Sequence, residues 1–147
     1  MQIRRPPGEL FEAFADPAIT SRFWFTHGSG RLEPGARVRW EWAMYGFSVD
    51  VEVRAADLER IEVGWSAYGA PSTIEWRLTP LPDGTTFVGI ANSGFAGSEA
   101  EKIKAAIDAT EGFAFVLAGA KAWLEHGVEL NLVRDRFPKG LDDGGAR

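Results

Sequence analysis

Between Gly35 and Ser93 apolar and polar side chains alternate with a period of two, broken by turns containing glycine and proline, and this predicts an antiparallel meander of five strands. In the first run Val38, Trp40, Trp42 and Met44 share one face, against Arg39, Glu41 and Tyr45 on the other. Phe47, Val49, Val51 and Val53 alternate with Ser48, Asp50, Glu52 and Arg54. Ile61, Val63 and Trp65 follow; Ile74, Trp76 and Leu78 come after the Gly69-Ala70-Pro71 loop, and Thr86, Val88, Ile90 and Asn92 after the Pro82-Asp83-Gly84 turn. Such alternation gives a sheet with one buried and one wet face.

The flanking segments change period. Gln2-Ile3-Arg4 is room for only a very short strand before Pro6-Pro7, which cannot donate to a ladder. From Pro7, the spacing of Leu10, Phe11 and Phe14 predicts a short amphipathic helix, and Asp16-Pro17 reads as the start of a second. Phe23-Trp24-Phe25 is too apolar for a one-faced element, so the fold encloses it or it rims a pocket. Glu99 to Asp108 predicts a helix carrying Ile103 and Ile107, interrupted at Gly112; Phe113, Val116, Leu117, Ala120, Trp123 and Leu124 then predict a long helix ending at Gly127. Val128, Leu130, Leu132 and Phe137 are too apolar to float free, and Gly144-Gly145 marks the end. The expected architecture is α+β, one domain over residues 1–138 with a flexible tail over 139–147. A curved antiparallel sheet of about six strands packs around the long C-terminal helix, with two short helices after strand one.

That order, and the strings Pro6-Pro7-Gly8-Glu9-Leu10-Phe11-Glu12-Ala13-Phe14, Asp16-Pro17, Phe23-Trp24-Phe25, Gly84-Thr85-Thr86, Asn92-Ser93-Gly94-Phe95 and Gly112-Phe113, resemble the START-like (SRPBCC) helix-grip superfamily. Within it they resemble the homologues of the activator of the heat-shock protein ATPase, a group also labelled polyketide-cyclase-like. The resemblance implies a helix-grip fold holding small apolar molecules between sheet and helix, with chemistry in a few members and chaperone binding in the eukaryotic activator. Relatives often carry histidine where this chain has Asn92, an amide that cannot shuttle protons.

Composition narrows the chemistry. The 147 residues contain no cysteine and only His27 and His126 as imidazoles, so neither a metal site nor any other cofactor is expected. A formal charge of -5 with scattered Lys and Arg argues against nucleic acid. No helical stretch reaches the roughly 20 apolar residues that cross a bilayer, and the chain is expected to be cytoplasmic, away from membranes, as a monomer or homodimer. The carboxylates Glu41, Asp50, Glu52 and Glu75 all fall on the wet face, unsuited to paired acid–base work. The face shared by Trp40, Trp42, Trp65 and Trp76 concentrates indoles whose N–H groups need partners when buried, which suits a ligand-filled pocket. The expected ligand-binding set is Trp40, Trp42, Trp65, Trp76, Asn92, Phe113, Val116 and Leu117, with Tyr68 closing the mouth and Phe25 nearby, and no catalytic residue. A small hydrophobic or aromatic ligand is the leading expectation. A chaperone partner is the alternative, and a cyclase or hydratase orienting its substrate through Asn92, Tyr68 or His27 is the third.

Overall fold

A computed structural model of the chain describes residues 1–141. The elements run β1 (Gln2–Ile3), α1 (Pro7–Ala15), α2 (Pro17–Thr20), β2 (His27–Gly28), β3 (Arg37–Trp42), a 3-10 turn (Ala43–Tyr45), β4 (Phe47–Ala56), β5 (Arg60–Trp65), β6 (Ser72–Pro80), β7 (Thr86–Ser93), α3 (Glu99–His126) and α4 (Leu132–Asp135). All strand pairs are antiparallel, in the order β1-β7-β6-β5-β4-β3-β2. The five predicted strands are β3 to β7. The seventh is β2, where the exposed His27 pairs with Glu41, so His27 sits on a strand at the sheet edge.

Register separates two faces. Trp40 pairs with Val49 and Trp76 with Ile61 and Ile90, placing the apolar row on the concave side. Trp40, Trp42, Trp65 and Trp76 are all buried there, whereas Met44 leaves the row for the 3-10 turn, and Ile90 and Asn92 are half-buried. On the convex side charges pair across strands, Arg39 with Asp50 at 2.9 Å and Arg60 with Glu75 at 2.6 Å, and along β6, Arg77 with Glu75 at 2.8 Å. Exposed pairs of this kind contribute little individually; their main consequence is that a one-residue slip would bury them and expose the indoles.

The N-terminal helices close one side of the concave face. Asp16 caps α2 by accepting from the Ala18 amide at 2.9 Å, and Thr20 Oγ1 donates to the Ala13 carbonyl at 2.7 Å, locking the corner between the helices. The corner delivers Phe23-Trp24-Phe25 into the core, all three buried. Across the sheet lies α3, which is continuous over 28 residues and opens with a capping box between Ser98 and Glu101. The expected interruption at Gly112 does not occur; one glycine within a long packed helix costs only about 1 kcal/mol relative to alanine. Its first turns overhang the sheet, leaving Ile103 and Ile107 exposed, and its middle packs through Phe113, Val116 and Ala120. Gly119 permits the closest approach, since a Cβ there would lie 3.0 Å from Phe23 Cβ and 3.3 Å from its carbonyl oxygen.

The far end of α3 is tied to the sheet edge by Glu125. Its Oε1 accepts from the Arg4 amide at 2.6 Å and from Lys121 Nζ, while Lys121 also donates to the Gln2 carbonyl at 3.1 Å. Beyond Gly127 the chain turns back. Val128 and Leu130 are exposed, contrary to the burial expected of the apolar tail, whereas Val133 and Phe137 reach the interior side. Of the tail expected from 139 onward, Leu141 contacts the cavity described below, and the Gly144-Gly145 ending lies outside the described residues. No helix among the described residues is long and apolar enough to cross a membrane.

Two outcomes are expected. Trp76 is fully buried against Phe14 and Trp24, both 5.9 Å away between ring centres, so Trp76→Ala should destabilise the fold by about 3–5 kcal/mol in urea melts; a loss under about 1 kcal/mol would show that this packing is not tight. Burial tends to raise the Glu125 carboxyl, but the Lys121 and Arg4 donors outweigh it and hold it below the ordinary glutamate value of about 4.3. Its contribution is therefore present above that value and lost as pH falls through the lower folded one. Glu125→Gln should lower the melting midpoint at pH 7, and the difference from wild type should close in acid; a difference independent of pH would contradict the tie.

Candidate functional site

The concave face is not uniformly filled. Its centre is solid: Trp24 lies 4.9 Å from Trp40 and 5.8 Å from Phe113 between ring centres, and Phe25 stacks on Trp40 at 5.2 Å. Toward the end of the sheet where β3 turns and β5 finishes, packing gives way to a cavity of about 120 Å³. Its floor is Trp24, Trp42 and Phe47; its helix wall is Ala109, Gly112, Phe113 and Val116. The loop after β5 brings Ala67 and Tyr68, and the returning C-terminal segment brings Val133, Arg136, Phe137 and Leu141.

Five of the residues expected from the sequence meet here: Trp42, Trp65, Tyr68, Phe113 and Val116. Trp40, Trp76, Asn92, Leu117 and Phe25 do not line this cavity. Trp40 and Trp76 belong to the solid centre. Asn92 Nδ2 donates to Ser72 Oγ at 3.1 Å and to the Thr73 carbonyl at 2.9 Å, which makes it a tie between neighbouring strands. Leu117 is half-buried farther along α3, and Phe25 faces a separate recess with Met44 and Leu132. Trp24 occupies the cavity floor instead of Phe25. The consecutive aromatics carry no periodicity that ranks them, so the sequence offered no means of choosing between the two.

Of the polar rim, the sequence predicts Tyr68 alone. Asp108 and Arg136 are mostly buried and paired, with Arg136 Nη2 2.8 Å from Asp108 Oδ1 and 3.0 Å from Glu111 Oε2. Arg136 Nη2 also donates to the Asp108 carbonyl at 3.3 Å, and Tyr68 donates its hydroxyl to Asp108 Oδ2 at 2.9 Å. The Arg136 guanidinium lies 4.8 Å from the centre of the Phe137 ring, within cation–π range. Gly112 makes room for it, because a Cβ there would come 3.1 Å from Arg136 Nη1. The same glycine, expected as a helix break, instead admits the C-terminal segment against α3.

A second latch is Tyr45, whose hydroxyl donates to the Val133 carbonyl and lies 3.1 Å from the Arg134 carbonyl; burial pushes this phenol above its ordinary value. Tyr45 and Phe137 meet edge-on at 5.9 Å. The C-terminal segment is therefore held over the cavity from the sheet side by Tyr45 and from the helix side by Arg136. The site supplies an aromatic chamber with the linked Tyr68, Asp108 and Arg136 side chains at its rim. Among the described residues there is no cluster of three or more metal-ligating side chains. Acid–base work needs a free pair of titratable groups facing the substrate, and both oxygens of Asp108 are already engaged.

Tyr45→Phe removes one latch while keeping the ring. It should cost about 1 kcal/mol and speed hydrogen exchange at the Asp135 and Arg136 amides, which donate to the Asn131 and Leu132 carbonyls. Unchanged exchange over residues 132–137 would mean that ring packing alone holds the segment.

Comparison with known proteins gives a consistent fold. A family model described as activator of Hsp90 ATPase homolog 1-like protein matches residues 4–125. The protein SSP2350 from Staphylococcus saprophyticus is 27% identical, with a TM-score of 0.75 over 88% of this chain and 91% of that one. DynU16, a protein of the dynemicin biosynthetic locus, is 23% identical with a TM-score of 0.74, over 88% of this chain but 46% of its own. The Aha1 dimer from Colwellia psychrerythraea is 17% identical with a TM-score of 0.70, over 86% of this chain and 93% of that one. The search of curated proteins found no match.

Proposed function

Because the chain belongs to the family of activator of Hsp90 ATPase homolog 1-like proteins, whose helix-grip fold leaves function to the site, we propose that it binds a small aromatic molecule in the cavity under its C-terminal segment. The observation that carries this reading is the lining itself: Trp24, Trp42, Phe47, Trp65, Phe113 and Phe137 surround a space of about 120 Å³ next to the solid centre of the core.

Size sets the class of occupant. The roughly 120 Å³ is comparable to an apolar cavity of about 150 Å³ that takes up benzene, and smaller than the roughly 300–1,000 Å³ of sites for drug-sized ligands. In the observed conformation the chamber suits a single substituted ring. A fused-ring ligand requires the C-terminal segment to move, because Val133, Arg136, Phe137 and Leu141 form that wall.

Titration with ethylbenzene, followed by tryptophan emission, should give a saturable change, since Trp24, Trp42 and Trp65 all border the space. Ala109→Phe, which puts a ring into the chamber from α3, should weaken binding at least tenfold, provided the variant retains native circular dichroism. Absence of a saturable response in the wild-type protein would overturn the proposal, as would equal affinity in a folded Ala109→Phe variant.

A further inference from the structure

We infer that Val133 limits the length of the ligand this cavity takes: it divides the aromatic chamber from a second, more polar recess, and so confines the wild-type protein to one ring with a short substituent. This inference rests on the cavity-binding reading above and adds the residue that sets its specificity.

Two spaces adjoin. Beside the chamber of about 120 Å³ lies a recess of about 210 Å³, between the loop after α2 and the C-terminal segment. Trp24 and Val133 are the two residues that line both. The recess differs in character, since Arg22, Thr26, Glu129 and Asn131 line it together with Met44, and Arg22 pairs with Glu129 at 3.0 Å. The two shared residues are not equally movable. Trp24 is buried, with its ring within 6.3 Å, centre to centre, of six other aromatic rings, so displacing it would disturb the whole centre of the core. Val133 is half-buried on the four-residue helix α4, which follows the left-handed Asn131 and is held to the sheet by the Tyr45 hydroxyl donating to the Val133 carbonyl. The backbone carries that latch, and shortening the side chain leaves the anchor in place.

Transfer from water alone makes a longer alkyl chain bind more tightly, by roughly fourfold for each methylene buried. A wall at Val133 reverses that order, because a chain that does not fit forces its neighbours off their preferred rotamers. Val133→Ala removes two methyl groups from the wall, which makes room for a methylene chain rather than for a second ring. The two spaces then together reach the lower end of the roughly 300–1,000 Å³ of sites for drug-sized ligands. The class admitted is an aryl-alkyl molecule with a polar end: its ring stays among the aromatics of the chamber, its chain passes the shortened residue 133, and its polar group meets the polar side chains of the recess.

Three probes share the ring: ethylbenzene, the longer butylbenzene, and 4-phenyl-1-butanol, which ends the same chain in a hydroxyl. Dissociation constants are read by ligand-observed NMR on the full-length wild type, Val133→Ala and the double variant Val133→Ala/Met44→Trp. In the double variant an indole fills the recess, since Met44 lines the recess and not the chamber. Wild type should bind butylbenzene and 4-phenyl-1-butanol at least about tenfold more weakly than ethylbenzene, against the order that transfer alone gives. Val133→Ala should bind 4-phenyl-1-butanol at least about tenfold more tightly than wild type does, with ethylbenzene changed less than about threefold, and the double variant should lose that gain. Wild type binding butylbenzene as tightly as ethylbenzene, or more tightly, overturns the inference without any substitution. So does a Val133→Ala protein with a native melting curve and no gain, or a gain that survives in the folded double variant. In each of these outcomes ethylbenzene still binds and the cavity reading stands, whereas failure of ethylbenzene to bind wild type removes that reading and this inference together.

Discussion

The insertion of Trp24 into the middle of the indole row organises the fold. Its ring lies within 6.3 Å, centre to centre, of Phe25, Trp40, Trp42, Trp65, Trp76 and Phe113, so one side chain joins strands β3, β5 and β6 to helix α3. A curved sheet with four large indoles on its concave face cannot close against a helix without material between the two layers, because interiors pack to crystal-like density. The corner between α1 and α2 supplies that material. Gly119 lets the helix come down onto the inserted segment, and the short helices exist, in this sense, to aim one aromatic.

The cavity follows from the same geometry. Trp24 fills the centre but its reach ends before the mouth of the sheet, where Trp42 and Trp65 are left facing the middle of α3 without a further core residue between them. Two routes were open to the chain: a larger side chain on the helix, or a cover from elsewhere. At Ala109 and Gly112 the helix presents its smallest residues, and the cover comes from the segment after Gly127, which doubles back through Asn131 at a φ of 54° to bring Val133, Arg136 and Phe137 over the opening. Small residues on the helix and a polar-latched cover leave a chamber where a leucine and a longer α3 side chain would have left a core.

Which parts of this were legible in the sequence depends on the range of the interactions involved. The strand faces were readable because period-two alternation is a local property, and the register that pairs Trp40 with Val49 follows from it once short turns link the strands. The short helices were readable from Asp16-Pro17 and from the spacing of Leu10 and Phe14. Strand β2 was not, since two residues, His27 and Gly28, carry no periodicity. Gly112 is a related case. A glycine within a helix has a local cost that is visible in sequence, and a benefit, space for Arg136 from 24 residues away, that is not. The expectation that all four indoles border one pocket treated a buried face as uniform. Alternation says which side of the sheet a residue occupies and nothing about how far along the strands the filling extends, so Trp40 and Trp76 were grouped with Trp42 and Trp65 although only the latter pair reaches the chamber.

The rim shows how one residue can serve several contacts at once. Arg136 is needed to hold the C-terminal segment, and the planar guanidinium does this through Nη2 alone, by way of the Asp108 and Glu111 carboxylates. A lysine at this place would place its charge at a single point and spend it on the carboxylates. The forked guanidinium instead separates the donors: Nη2 is committed to the carboxylates, while Nε is buried with no partner among the described residues. Tyr68 acts on the same carboxylate from the opposite side, so that the position of Asp108, and through it of Arg136, depends on the loop after β5 as well as on α3. Asp108 and Arg136 thus join two covers of the chamber, the loop and the C-terminal segment. A change in either cover is therefore felt by the other through the position of a single side chain.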